Sequence, residues 1–220
     1  HYYAFIKNEE EQWYEFNDTQ VTPSNINSLK EEAFGGEETF NNKEKQKRQL
    51  QQQIQKIINE EVAKARKAGT STTAGSTSSS SNVDVALSND FAGNKGKLPW
   101  PVTYTKVGRE YGRYTHSSGG QNMNNGIDLV CKGGTAVQCV FNGTVSRVFT
   151  CPNGTKGIIV RHGEYMSVYT NMGTVTVREG AKVSTKQNLG TVYTNSDGSA
   201  DFSFQLWKGT TSQNPRGWLR

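Results

Sequence analysis

Between residues 135 and 207 the chain keeps repeating one pattern: a short β-type run, then a turn rich in Gly and Asn. The runs fall over residues 135–141, 143–149, 157–161, 166–170, 173–177, 190–193 and 202–207. Asn142-Gly143 and Asn153-Gly154 are hairpin-type dipeptides, because Gly and Asn tolerate the left-handed backbone that tight turns require. Short strands at this spacing, with almost no helical periodicity among them, predict an all-β domain over residues 97–220 built from antiparallel sheets folded on themselves.

A different pattern precedes it. Residues 43–67 contain no Gly or Pro and are rich in Lys, Gln, Glu, Arg and Ala, all good helix formers. Leu50, Ile54, Ile57, Ile58, Val62 and Ala65 lie at helical spacing and form one apolar stripe. The spacing predicts an amphipathic, coiled-coil-like helix over residues 43–68. Its stripe either meets another helix or a groove on its own domain, or belongs to a solvated stalk. Residues 69–96 read as a Ser/Thr/Gly-rich flexible linker and arm, with Phe91 as a candidate anchor.

Residues 1–42 read as a small acidic segment. Tyr2 to Ile6 and Trp13 to Phe16 flank an acidic hairpin tip at Asn8 to Glu11. A short helix then opens at Thr22-Pro23-Ser24, with Ile26, Leu29 and Ala33 inward, and Gly35-Gly36 closes it.

Charge follows these divisions. Residues 1–42 carry two Lys against nine acids, residues 43–96 nine bases against five, and residues 97–220 fourteen against six. The basic β domain is expected to meet an anionic partner or simply to carry a solvated basic surface. Apolar residues make up 33% of the chain, so a compact part and a polar, extended part are expected. No apolar run is long enough to span a bilayer. The first residue is His1 and no signal peptide is visible, so a mature form or a fragment is expected. Three cysteines, Cys131, Cys139 and Cys151, show no metal-ligand spacing. Cys139 alternates as a buried strand residue, and a disulfide plus a free thiol stays open.

Two resemblances follow from ordered motifs. His-Tyr-Tyr-Ala-Phe, Trp-Tyr-Glu-Phe-Asn-Asp, Val-Thr-Pro and Ala-Phe-Gly-Gly, over residues 1–36, resemble the C-terminal end of ubiquitin-specific proteases. That likeness places the family's base at His1 and its orienting residue at Asn17, with Asp18 beside it. No cysteine stands near enough in sequence to serve as nucleophile, so no catalysis is expected from this segment.

The second covers residues 97–220. Leu-Pro-Trp-Pro-Val, Gly-Ile-Asp-Leu, Val-Phe-Asn-Gly-Thr-Val, Val-Tyr-Thr-Asn-Met, Phe-Gln-Leu-Trp-Lys-Gly and Asn-Pro-Arg-Gly-Trp-Leu occur in that order. Together they resemble the LytM/lysostaphin-type metallopeptidase domain, an antiparallel β-sandwich whose groove holds zinc and cuts peptidoglycan cross-bridges. The resemblance puts the first ligand His at Asn124, the ligand Asp at Asp128, the middle-strand His at Asn171, and the last His pair at Asp201 and Ser203. One of five is kept. Amide and hydroxyl groups are poor zinc ligands, so no cofactor and no catalytic residue are expected. His116 and His162 match no ligand position and read as structural.

Degenerate domains of this kind behind a helical arm resemble the EnvC/NlpD type of murein hydrolase activator. The likeness implies a non-catalytic protein of a Gram-negative periplasm or cell envelope. Its empty groove would bind and activate an N-acetylmuramoyl-L-alanine amidase. Peptidoglycan and, through the helix, membrane division machinery are further expected partners, and nucleic acid is not. A zinc metalloendopeptidase and a plain cell-wall-binding module are the competing readings.

Overall fold

A computed structural model of the chain describes residues 3–7, 13–17, 20–24, 37–70, 79–115 and 121–220. The chain divides into two compact units, residues 1–51 and 52–220. The first holds an antiparallel sheet of β1 (Tyr3–Lys7), β2 (Trp13–Asn17) and β3 (Gln20–Ser24), with Ile6 opposite Tyr14 and Phe16 opposite Val21. The expected hairpin is present. The segment read as the opening of a helix at Thr22-Pro23-Ser24 is instead part of β3. Among the described residues that strand pairs only with β2, and an edge strand tolerates the missing N–H of Pro23. The acidic tip at Asn8 to Glu11 and the helix expected around Ile26, Leu29 and Ala33 lie outside the described residues.

Helix α1 spans Glu37–Thr70, longer than expected at both ends, and α2 spans Ser79–Gly93 where a linker and arm were read. The apolar side chain at Phe91 explains α2. It is fully buried in the β domain, with ring centroids 4.9 Å from His162, 4.8 Å from Tyr165 and 5.3 Å from both Phe141 and Trp218.

The β domain is built on one ten-stranded antiparallel sheet. Its main path uses β12 (Lys182–Val183), β9 (Gly143–Thr150), β10 (Lys156–His162), β11 (Tyr165–Val175), β14 (Ser199–Lys208), β7 (Gly126–Lys132) and β4 (Lys106–Arg109), in that order. Off this path, β13 (Asn188–Val192) pairs with β11 and with β8 (Ala136–Gln138), and β15 (Thr211–Gln213) pairs with β14. A separate hairpin joins β5 (Gly112–Thr115) to β6 (Gln121–Asn124). The end of the chain straps the domain's start: Leu98 N donates to Trp218 O at 3.0 Å and Arg220 N to Leu98 O at 2.8 Å.

Alternation along the central strands sorts side chains to two faces. Ile127, Leu129, Ile158, Val160, Tyr169, Phe202, Phe204 and Leu206 enter the main core with Val137, Leu189 and Val192. Ile159, Met166, Val168 and Trp207 occupy the opposite phase and are nevertheless at most 3% exposed. The layer over that second face is α1. Gln53 Nε2 donates to Thr150 O at 3.0 Å, Glu61 pairs with Arg147 Nη2 at 3.1 Å and accepts the Ser146 hydroxyl, and Ile54 and Ile58 are fully buried. The stripe read from the sequence therefore meets the sheet of its own domain. Burial of each isoleucine contributes about 1.5–3 kcal/mol.

Candidate functional site

The second face continues past α1 to the end of the sheet where the candidate groove residues lie. In the β14–β7 ladder Ser203 stands directly opposite Asp128, and Asp201 opposite Val130. Cross-strand partners share a face, so Asp128, Asp201 and Ser203 point to the same side, away from Phe202 and Phe204. Opposed side chains of this kind have Cβ atoms about 5 Å apart. Gly126 permits the approach: a Cβ there would meet Phe204 O at 2.2 Å.

Asn171 closes this end from β11. The strand leaves β14 at the Thr170–Ser203 pair and joins β13 at Met172–Val192. Asn171 makes the turn between them with φ 62°, in the left-handed region that Asn enters more readily than most residues. Its side-chain oxygen accepts from Asn153 Nδ2 at 3.2 Å and Thr155 Oγ1 at 3.4 Å, which fixes the bend.

Asn124 behaves differently. It is 2% exposed, and its amide donates to Glu110 O at 3.0 Å and Arg109 O at 3.5 Å. The side chain at the first expected ligand position therefore clamps the strand end before β5. Four of the five candidate residues are brought together on one sheet end, and the fifth is turned into the backbone beside it.

Those groups do not fit a zinc ion. A tight zinc site needs several imidazole, thiolate or carboxylate donors, whereas two carboxylates, one hydroxyl and an amide already engaged with carbonyls stand here, with no imidazole or thiolate among them. Among the described residues no cluster of three His, Cys, Asp or Glu side chains is placed to share a metal. His162 is far from a ligand role. It is fully buried, with Nδ1 2.7 Å from Asn142 O and Nε2 2.7 Å from Ser167 Oγ, and burial pulls its pKa down to about 4. His116 lies outside the described residues. The three cysteines are free and buried, so the open disulfide alternative is not adopted; burial, helped by Asp201, pushes Cys131 up to about 11.

Sequence reading missed the rim. Arg109 is the Cα partner of Asp128 in the β4–β7 ladder, and its guanidinium carbon lies 3.9 Å from the Tyr114 ring centroid. Met123 and Tyr193 are large apolar side chains left 44% and 50% exposed, and Tyr193 N donates to Asn171 O at 2.9 Å. Tyr193 was inside a run read only as a strand, and its exposure follows from the β11–β13 pairing that no local pattern reveals.

Residues 122–215 match the family described as Peptidase family M23. Among solved structures, Csd3 of Helicobacter pylori is 25% identical, with 56% of this chain and 34% of that chain covered and a TM-score of 0.49. Lysostaphin is 25% identical over 50% of this chain and 48% of its own, with a TM-score of 0.42. The SpoIIQ–SpoIIIAH pore forming complex is 20% identical over 56% of this chain and 90% of the other, with a TM-score of 0.46. The chain thus spans about a third of the length of the Csd3 chain. No curated protein matches it.

Proposed function

We propose that the β domain is a non-catalytic activator of peptidoglycan hydrolases, its groove binding an N-acetylmuramoyl-L-alanine amidase. The observation that carries this reading is the fate of Asn124. Its amide is used on the Arg109 and Glu110 carbonyls, while Asp128, Asp201 and Ser203 keep a shared face. Hydrolysis needs an activated water and a group to move its proton. No imidazole stands among Asp128, Asp201 and Ser203 on that face, and recognition is the chemistry this reading assigns to it.

In this reading Met123 and Tyr193 provide apolar anchors at the rim, and Asp128 and Asp201 provide acceptors for a partner's basic or N–H groups. The partner's active conformation is favoured by binding the groove better than its inactive one. Helix α1 serves as a cover or docking arm, since it occupies the other part of the same sheet face. The protein is assigned to the cell envelope of a Gram-negative bacterium, as an activator of the EnvC/NlpD kind. Domain limits of 1–42, 43–68, 69–96 and 97–220 go with that assignment. Residues 1–36, for all their likeness to ubiquitin-specific proteases, are given no catalytic part, and a ubiquitin-based suicide probe is expected to leave the chain unmodified.

The test is dye release from labelled murein by a cognate amidase with and without the purified chain. Stimulation is expected. An unchanged rate would remove this reading, and stoichiometric zinc with cross-bridge cleavage by the chain alone would favour a metalloendopeptidase. The plain wall-binding module draws on the basic charge of residues 97–220. It requires murein pull-down without any effect on the amidase.

A further inference from the structure

A cleft of about 470 Å³ opens between the last turns of α1 and the β10–β11 turn, away from the groove at the other end of β14. Val62 and Ala65 form one wall, Met166 another, and Arg161, Glu164 and Lys208 reach it from the sheet side. The volume lies in the range of small-ligand sites.

The charges here are arranged, not merely present. Glu61 at the cleft's inner end is already neutralised, with Arg147 Nη2 and Lys64 Nζ each 3.1 Å from its Oε1 and the Ser146 hydroxyl on Oε2. Arg161 is held rigid: Nη2 lies 3.1 Å from Asp84 Oδ2 on α2, and Nε donates to Gly163 O at 3.0 Å. Lys208, an exposed residue at the end of β14, has its Nζ 5.5 Å from the Tyr165 ring centroid. Glu164 is anchored through its backbone, its N donating to Ser88 Oγ at 2.8 Å and its O accepting from Gly209 N at 3.0 Å. The cationic side chains of Arg66, Arg161 and Lys208 and the carboxylate of Glu164 thus frame an apolar floor. A carboxylate ligand satisfies the first, a peptide N–H the second, and an aliphatic side chain the third.

We propose that this cleft binds a short acidic peptide, its carboxylate on Lys208 and Arg161, its N–H on Glu164, and an aliphatic side chain on Met166, Val62 and Ala65. Because α1 supplies one wall and the sheet the other, the bound peptide pins α1 to the domain. The site and its ligand class are independent of the amidase reading.

The probe is acetyl-leucyl-glutamate, which carries two carboxylates and one aliphatic side chain, with its uncharged diamide as control. Binding is followed by NMR titration of the whole chain, and α1 pinning by hydrogen exchange at residues 54–65. Saturable binding of the diacid, added protection of α1, and no binding of the diamide are expected. Lys208→Gln, an exposed position, weakens binding about tenfold. Ala65→Trp fills the cleft and abolishes it, with an unchanged spectrum of the β core showing that the variant is folded. No binding of the diacid to folded protein overturns the proposal. So does binding that neither substitution changes.

Discussion

Ser203 lies directly across the β14–β7 ladder from Asp128, at the sheet end where Asp201 and Asn171 also converge. Two imidazoles there, beside the Asp128 carboxylate, would supply the donors a zinc site needs. Asn124→His with Ser203→His is expected to raise zinc affinity by at least about a hundredfold over the parent chain. Competition against a chromophoric chelator measures it. Asn124→His also gives up the hydrogen bond to Glu110 O, at a cost of about 1 kcal/mol in a urea melt. Equal zinc affinity in parent and variant would contradict the placement of these residues.

Glu61 fastens α1 to the sheet. Burial raises its pKa, but the Ser146 hydroxyl and then Lys64 and Arg147 outweigh that, leaving it below the ordinary carboxylate value. A depressed folded-state pKa gives stabilisation that is present above the unfolded value near 4.5 and lost as pH falls through the folded one. The protection of the α1 amides, relative to their intrinsic exchange rates at each pH, is therefore expected to fall below about pH 4.5. Glu61→Gln at neutral pH should loosen the helix by about 1–2 kcal/mol, read from the same amides. Protection indifferent to both changes would show that Ile54 and Ile58 alone hold α1.

His162 makes the β domain acid-sensitive at a higher pH. It is fully buried and neutral, with a pKa near 4, whereas the unfolded chain takes up the proton near 6.5. Stability is thus fully present above about pH 6.5 and is lost progressively down to about 4, by roughly 3 kcal/mol in all. Urea melts at pH 7, 6 and 5 measure the slope. His162→Gln is expected to flatten it, and an unchanged slope in that variant would assign the effect elsewhere.

Phe91 anchors α2 by aromatic contacts to His162, Tyr165, Phe141 and Trp218. Phe91→Ala is expected to cost about 3–5 kcal/mol in thermal or urea unfolding. Gly163→Ala should release the same helix by a different route. Its φ is +71°, and a Cβ would lie 2.1 Å from Ser88 Oγ and 2.4 Å from Asp84 O. Wild-type stability in both variants would show that α2 does not need its seat.

How far the sequence could be read depended on how local each determinant was. Asn153-Gly154 marked the β9–β10 hairpin turn, with Gly154 at φ 82°, because turn chemistry is set by two residues, whereas Asn142-Gly143 makes no hairpin: β8 pairs with β13, and Gly143 already opens β9. All seven expected β-type runs overlap strands, though 166–170 and 173–177 are a single strand, β11, bent at Asn171. The bend is stabilised by Asn153 and Thr155, some sixteen to eighteen residues away, and so leaves no periodicity behind. Strands β4, β5 and β6 escaped because their pairing, not their composition, makes them strands. Helix α2 escaped because Ser79 to Ser81 are weak helix formers, and what orders it is Phe91 in the distant core. At the site, the β14–β7 register sets Asp128 and Ser203 opposite one another, a pairing that motif order alone did not state. It gave no hint that Asn124 would turn to Glu110, since that contact belongs to the β5–β6 hairpin's return toward β4.

The central claim is that a sheet end shaped for hydrolysis now serves recognition. The most direct measurement compares amidase dye release from murein with the wild-type chain and with Asp201→Lys, a charge reversal at an exposed groove position. The account requires stimulation by wild type, loss of most of it with Asp201→Lys, and no solubilised cross-bridge fragments from the chain alone. Equal stimulation by both proteins, or fragments released without the amidase, would contradict it.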